Sequence, residues 1–229
     1  MSKNKKSNKN IIIVGNSNND YLNWLGKLED FNIKTVRSLE DYSKLVEKQE
    51  TIDLVVFTGG SDVNPDYYGQ NIGKYTHIDK ERDIFEVNLW ERLPYNVLKV
   101  GICRGSQFLT AMSGGSLIQH VNGHGGDHVI STKEGINLTM TSTHHQMMYP
   151  YELNKDKFDL IAWSTYFKSD TYLNGRNEEI EIPTEFLEPE IVHYKNTNAL
   201  AIQGHPEFSS CNREASEYCL DLIRNLLNK

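Results

Sequence analysis

The chain has 229 residues, 38% of them hydrophobic and 24% charged, with 24 basic and 31 acidic side chains and a formal charge of −7. This is the mixture of one soluble domain of the larger kind. No apolar run can span a bilayer, no apolar stretch follows the charged start as in a secretory signal, and the acidic balance argues against a nucleic-acid partner held through phosphates.

Residues 1–10 (MSKNKKSNKN) carry four lysines and no acid and read as a disordered basic leader, with one domain over 11–229. Ile11-Ile12-Ile13-Val14 is a short β-branched run, the pattern of a strand buried on both faces. Residues 20–30 place Tyr21, Leu22, Trp24, Leu25 and Leu28 on one helical stripe. A strand is expected at 32–36, a helix capped by Ser38, and a third strand at 53–58 ending in Gly59-Gly60. Residues 79–93 read as a helix with Ile84, Phe85, Leu89 and Leu93 inward. A fourth strand at 97–102 runs into a helix holding Phe108 to Met112. This rhythm predicts an α/β fold with a mostly parallel central sheet flanked by helices. The stretch from Gly115 to about Ile191 is irregular, and its Asn/Glu-rich part, 174–190, reads as an exposed loop or hairpin. A hairpin around Asn196-Thr197-Asn198 and an amphipathic helix at 212–228 close the chain.

Three cysteines, Cys103, Cys211 and Cys219, are too few for a disulfide framework and lack zinc-ribbon spacing, so a reducing cytoplasm is the expected setting. Cys211 and Cys219 are expected in the last helix, as small apolar fillers or weakly exposed thiols. Cys103 differs. A buried strand runs directly into Gly101-Ile102-Cys103-Arg104-Gly105, and a helix follows at once. Such a turn strains the central residue and lifts its side chain out at the strand's end, while the helix N-terminus favours thiolate. A thiolate nucleophile needs a base and an orienter. His205, in Gly204-His205-Pro206-Glu207 after a strand, has the best context of the eight histidines, and Glu207 at i+2 can share its side. Acyl transfer also needs oxyanion donors. The Arg104 amide is one; Gly59-Gly60, ending a neighbouring strand, is either a plain turn or the second.

Residues 101–107, Gly114-Gly115 and the Gly-His-Pro-Glu stretch resemble the class I glutamine amidotransferase-like superfamily. Four further stretches resemble its gamma-glutamyl hydrolase-like branch: 58–65 (TGGSDVNP) with Tyr68-Gly69, Glu81-Arg82-Asp83 with Glu86, 113–117 (SGGSL), and 142–146 (STHHQ). The resemblance implies a flavodoxin-like three-layer fold and attack by Cys103 on a gamma-glutamyl amide, with His205 and Glu207 completing the triad. It implies an oxyanion hole from the Gly60 and Arg104 amides, and substrate contacts from Gln107, His144 and Gln146. No cofactor, metal, membrane or nucleic acid is implied. The expected partner is a small gamma-glutamyl substrate; the alternative is a glutaminase subunit feeding ammonia to a synthetase, and a third reading is a non-catalytic binding module.

One departure stands out. The family usually has a bulky residue before the base; here it is Gly204, which suggests room for a leaving group larger than ammonia. His120, His124 and His128 recur at spacing four, but two glycines make a helix unsuitable there, so a rim loop is expected rather than a metal site. Tyr67, Tyr68 and Tyr75 are expected to pack over the site mouth.

Overall fold

The computed structural model describes residues 9–165 and 169–228. The first half alternates β1 (Lys9–Val14), α1 (Asn19–Leu25), β2 (Phe31–Val36), α2 (Leu39–Glu47), β3 (Leu54–Phe57), α3 (Lys80–Trp90), β4 (Leu98–Ile102) and α4 (Arg104–Met112). Short strands follow: β5 (Ser116–Ile118), β6 (His120–Val121), β7 (His128–Thr132), β8 (Asn137–Met140), β9 (Met147–Tyr149), β10 (Phe158–Ser164) and β11 (Tyr172–Leu173). The hairpin β12 (Pro189–Tyr194) and β13 (Ala199–Ile202) leads to α5 (Arg213–Leu227). Residues 1–8 of the expected leader lie outside the described residues, whereas Lys9 and Asn10 already belong to β1.

Nine strands form one sheet in the order β2-β1-β3-β4-β13-β12-β10-β7-β8. The neighbours from β2 to β13 run parallel, and those from β13 to β8 antiparallel. The apolar runs of β1 and β3 are continuous because both faces are covered. Ile11, Ile13, Leu54 and Val56 face the core shared with α1 and α5. Ile12, Val14, Val55 and Phe57 face the core on the side of α2, α3 and α4. This is the flavodoxin-like three-layer arrangement. The C-terminal ends of β3, β4 and β13 share one rim, which brings Gly60, Cys103 and His205 together.

Leu89 on helix α3 and Leu93 just past its end are buried and Phe85 packs against the core as expected, but Ile84 does not. Ile84 is 57% exposed, while Asp83 and Glu86 are 1% and 0% exposed. The acids turn inward because they pair with the buried Arg104 guanidinium, Asp83 with Nη2 and Glu86 with Nη1. An apolar stripe carries no trace of a buried cation on another helix. Leu22 also faces out from α1, while Tyr21, Trp24 and Leu25 face in. The stretch 174–190 is not wholly exposed, since Phe186, Glu188 and Glu190 are buried. Cys219 lies inside α5, but Cys211 precedes it, and Asn212 caps the helix by accepting from the Glu214 amide at 2.8 Å. No helix among the described residues is long and apolar enough to cross a membrane.

Candidate active site

Cys103 joins β4 to α4 with φ 52° and ψ −110°. A non-glycine residue held there stores strain of about 1–3 kcal/mol, which the surroundings must impose. Its amide donates to the Ile202 carbonyl at 2.8 Å, and its carbonyl accepts from the Ser106 hydroxyl at 2.6 Å. The flanking glycines let backbone touch backbone. A Cβ on Gly101 would lie 2.3 Å from the Gly105 carbonyl oxygen, and one on Gly105 would lie 2.1 Å from that of Phe57.

His205 follows β13, and its amide donates to the Thr141 carbonyl at 2.8 Å. Its Nδ1 is 2.8 Å from Glu207 Oε1, so the i, i+2 pair does share a side. Its Nε2 is 2.9 Å from Thr143 Oγ1, and its ring stacks on Phe208 at 4.2 Å and 11°. Burial opposes charge on the imidazole, but hydrogen bonds to Cys103 and Glu207 and their charges raise its pKa to about 10. Because this folded value exceeds the unfolded one, about 6.5, the resulting stability is complete below about pH 6.5 and is lost as pH rises toward 10. The unfolding midpoint should therefore fall more steeply between about pH 7 and 10 in the wild type than in His205→Asn. Parallel curves in a thermal melt series would show that the imidazole is not held charged.

The rim before Gly60 is held from outside. Arg82 on α3 donates from Nη2 to the Thr58 carbonyl at 2.7 Å and from Nη1 to the Gly59 carbonyl at 2.8 Å. Glu86 orients Arg82, accepting from its Nε at 2.7 Å, and also pairs with Arg104. One helix thus braces both the Gly59-Gly60 turn and the cysteine elbow. From the other side, the Gly59 amide donates to the Tyr21 hydroxyl at 2.9 Å. Burial and the nearby Glu207 carboxylate push the Tyr21 pKa up, so it stays protonated.

Gly60, Cys103, Arg104, Gln107, His144, Gln146 and His205 line one cavity of about 340 Å³. Glu207 sits behind the histidine and does not line it. Gln107 donates from Nε2 to the Gln146 carbonyl at 3.1 Å, which also lies 2.8 Å from His144 Nδ1. His144 therefore turns its ring nitrogens toward protein, with Nε2 3.8 Å from Glu190 Oε1. At the mouth, His145 Nε2 lies 3.2 Å from Asp62 Oδ1, and that carboxylate raises the imidazole's pKa.

The structure corrects three expectations. Gly204 opens no room: a Cβ there would meet Met140 Cγ at 2.2 Å and the Thr141 carbonyl at 3.0 Å, so β8 fills the space. Tyr67 and Tyr68 pack against the core beside α3, and Tyr75 stacks on His120 at 4.2 Å; none lines the cavity. The spacing of four in His120, His124 and His128 has no structural meaning, yet His124 and His128 do converge, on Glu190 and beside His144. Phe208 escapes a sequence reading, and Thr143 stands there only within the 142–146 stretch, with no role given to it. Arg82 and Glu86 stand in the sequence only as part of a family stretch, although their i, i+4 placement was a usable signal of a pair.

A thiol elbow and a His–Glu pair on adjacent parallel strands, in this three-layer fold, define the class I glutamine amidotransferase-like superfamily. Solved structures agree on the fold. A Thermoplasma acidophilum protein assigned to GMP synthase as one of its subunits superposes with a TM-score of 0.63 at 18% identity, covering 96% of this chain and 92% of that one. PurLQS from Thermotoga maritima gives 0.54 at 16% identity, covering 96% and 98%. The sequence pattern of the Peptidase C26 family matches residues 31–156, more than half of the chain, and the chain belongs to that family. A glutamine amidotransferase-like protein of Rickettsia prowazekii, RP404, is 39% identical over 75 residues, which are 31% of this chain and 27% of that protein. The corresponding Lactococcus lactis protein, YvdE, is 34% identical over 92 residues, 39% of this chain and 36% of that one. These alignments thus span only about a third of the curated relatives' lengths.

Proposed function

We propose that the chain is a cysteine-dependent hydrolase of a gamma-glutamyl amide, acting as a single catalytic domain. The observation that carries this reading is the strained Cys103 elbow, facing a histidine already paired to Glu207. The Cys103 thiolate adds to the γ-carbonyl carbon, and the oxyanion rests on the Gly60 and Arg104 amides. As the first residue of α4, Arg104 has an amide with no intrahelical acceptor. The C–N bond breaks, and the His205 imidazolium protonates the departing amine. Water then gives a proton to neutral His205 and adds to the thioester, and C–S cleavage returns the thiolate and releases glutamate. Gln107 holds the Gln146 wall, and the Asp62–His145 pair offers opposite charges to a zwitterionic glutamyl end.

The relatives described as glutamine amidotransferase-like, and PurLQS among the neighbours, favour a second reading: a glutaminase subunit serving a synthetase. Favouring the first reading, Ser61, Asp62 and His77 on one side and residues 143–146 on the other wall the cavity beside the triad. The test is to follow glutamate release from glutamine and from a panel of gamma-glutamyl amines. The isolated chain should hydrolyse at least one gamma-glutamyl amine and act poorly on glutamine. Glutaminase activity that appears only with an added synthetase, and no action on any gamma-glutamyl amine, would replace the hydrolase with the partner-dependent glutaminase.

A further inference from the structure

Next to the substrate wall, and outside the triad, lies a second cluster of titratable groups. His124 (between β6 and β7), His144 (between β8 and β9) and Glu190 (on β12) each bring one donor atom within 4.8 Å of the others, and all three residues are buried. His124 Nδ1 is 3.5 Å and His144 Nε2 is 3.8 Å from Glu190 Oε1. Neither contact has hydrogen-bond geometry, and both nitrogens, like Glu190 Oε2, lack a hydrogen-bond partner among the described residues. Sealed donors of this kind are costly unless something binds them.

The outward-facing nitrogens explain the arrangement. His144 turns Nδ1 to the Gln146 carbonyl at 2.8 Å. His124 Nε2 lies 3.2 Å from Glu188 Oε2, within ion-pair distance but without hydrogen-bond geometry. Glu188 is itself fixed, its Oε1 accepting from the Ser169 amide at 2.6 Å and the Tyr172 hydroxyl at 2.7 Å. An imidazole whose outer nitrogen faces a carboxylate or carbonyl presents a lone pair on the inner one, as metal-binding histidines do. His144, held by the Gln146 carbonyl, thus turns a lone pair toward the Glu190 carboxylate, and His124 Nδ1 faces the same oxygen, so a cation between them would satisfy all three. From the far side, His128 Nε2 sits 2.9 Å from Glu190 Oε1 and its Nδ1 3.2 Å from the Gly126 carbonyl.

We propose that His124 Nδ1, His144 Nε2 and the Glu190 carboxylate bind a divalent metal ion of the zinc type, with Glu188, the Gln146 carbonyl and His128 as its outer support. Zinc bonds of ~2.0–2.1 Å put tetrahedral ligands roughly 3.3–3.4 Å apart, close to the 3.5 and 3.8 Å between the two nitrogens and Glu190 Oε1. Imidazole and carboxylate donors suit zinc rather than calcium or magnesium. The chain supplies three donors, one from each of His124, His144 and Glu190, and leaves the fourth tetrahedral position to water; the burial of all three residues keeps the ion away from solvent, in a structural role. It ties three separate segments together and fixes residues 143–146, which form the cavity wall and supply Thr143 to the catalytic histidine. The site stands apart from the hydrolase reading and does not depend on it. The rival occupant is a proton: burial opposes charge on His124, but contacts with Glu188 and Glu190 raise its pKa to about 9.

The decisive experiment uses the full chain with Cys103→Ser, so that the catalytic thiol cannot hold zinc. After chelator treatment and dialysis, zinc is titrated against an indicator dye, metal content is measured by mass spectrometry, and unfolding midpoints are recorded with and without zinc. One zinc per chain, a midpoint raised by several degrees and affinity lowered ~100-fold or more in Glu190→Gln and His124→Gln are expected. Cobalt in place of zinc should give the visible bands of a tetrahedral site, a readout that needs no variant to fold. Substoichiometric zinc with no midpoint shift, or binding untouched by both substitutions in folded variants, would leave a proton-bridged His–Glu network and overturn the proposal.

Discussion

Cys103→Ala or Cys103→Ser should abolish turnover, by roughly 10⁴-fold or more, because neither methyl nor hydroxyl replaces a thiolate at this position. The other two cysteines serve as internal controls. Burial raises the pKa of Cys211, and that of Cys219 well above the ordinary thiol value, so neither presents a thiolate near neutral pH. Cys211→Ser and Cys219→Ser should therefore leave kcat nearly intact. His205→Asn should match the loss at Cys103, since it removes the base that Glu207 orients in the same cavity as Cys103. Glu207→Gln should lose less, because Thr143 and the stacked Phe208 still hold the ring. Steady-state kinetics on any turned-over substrate decides this, and a Cys211→Ser loss as large as that of Cys103→Ala would move the nucleophile elsewhere.

Arg104→Leu should destabilise the fold by about 3–5 kcal/mol, the cost of leaving buried charges without their partner. Asp83 and Glu86 would then face each other across a dry interior. Burial already holds Asp83's pKa above the ordinary carboxylate value even with Arg104 beside it, so the desolvation is incompletely offset in the native state. Replacing all three together, Arg104→Met with Asp83→Leu and Glu86→Leu, should recover most of that stability. Activity should not return with it. Loss of Glu86 frees Arg82, which holds the carbonyls before Gly60, so the triple variant should show a reduced kcat with KM less affected. Denaturant midpoints together with kinetics test both halves. A triple variant as active as the wild type would mean that the brace on the Gly59-Gly60 turn is dispensable.

The elements of the parallel half were legible because their signals are local. β1 could be read from four consecutive β-branched residues, since a strand covered on both faces needs no alternation. The elbow could be read from Gly101 and Gly105, because backbone sits where their side chains would be. The His205–Glu207 contact was legible from the i, i+2 spacing around Pro206, although the pair lies in the turn beyond β13 rather than on the strand. The family resemblance then joined elements that are distant in sequence.

What stayed hidden depends on partners that only the folded chain brings near. Within the stripe of α3 only Ile84 misleads, because Arg104, 18 and 21 residues away, draws Glu86 and Asp83 inward and leaves Ile84 in water. Gly204 suggested space, but Met140 of β8 occupies it. The histidines at spacing four suggested a rim loop. His124 and His128 instead meet Glu190, 66 and 62 residues further along, where β12 carries it into a sealed interior beside His144. Periodicity along one element determines which residues share a face; which charge or side chain stands opposite is set by the sheet order, through the low dielectric of the interior, where a buried acid is stable only beside the cation that the fold supplies.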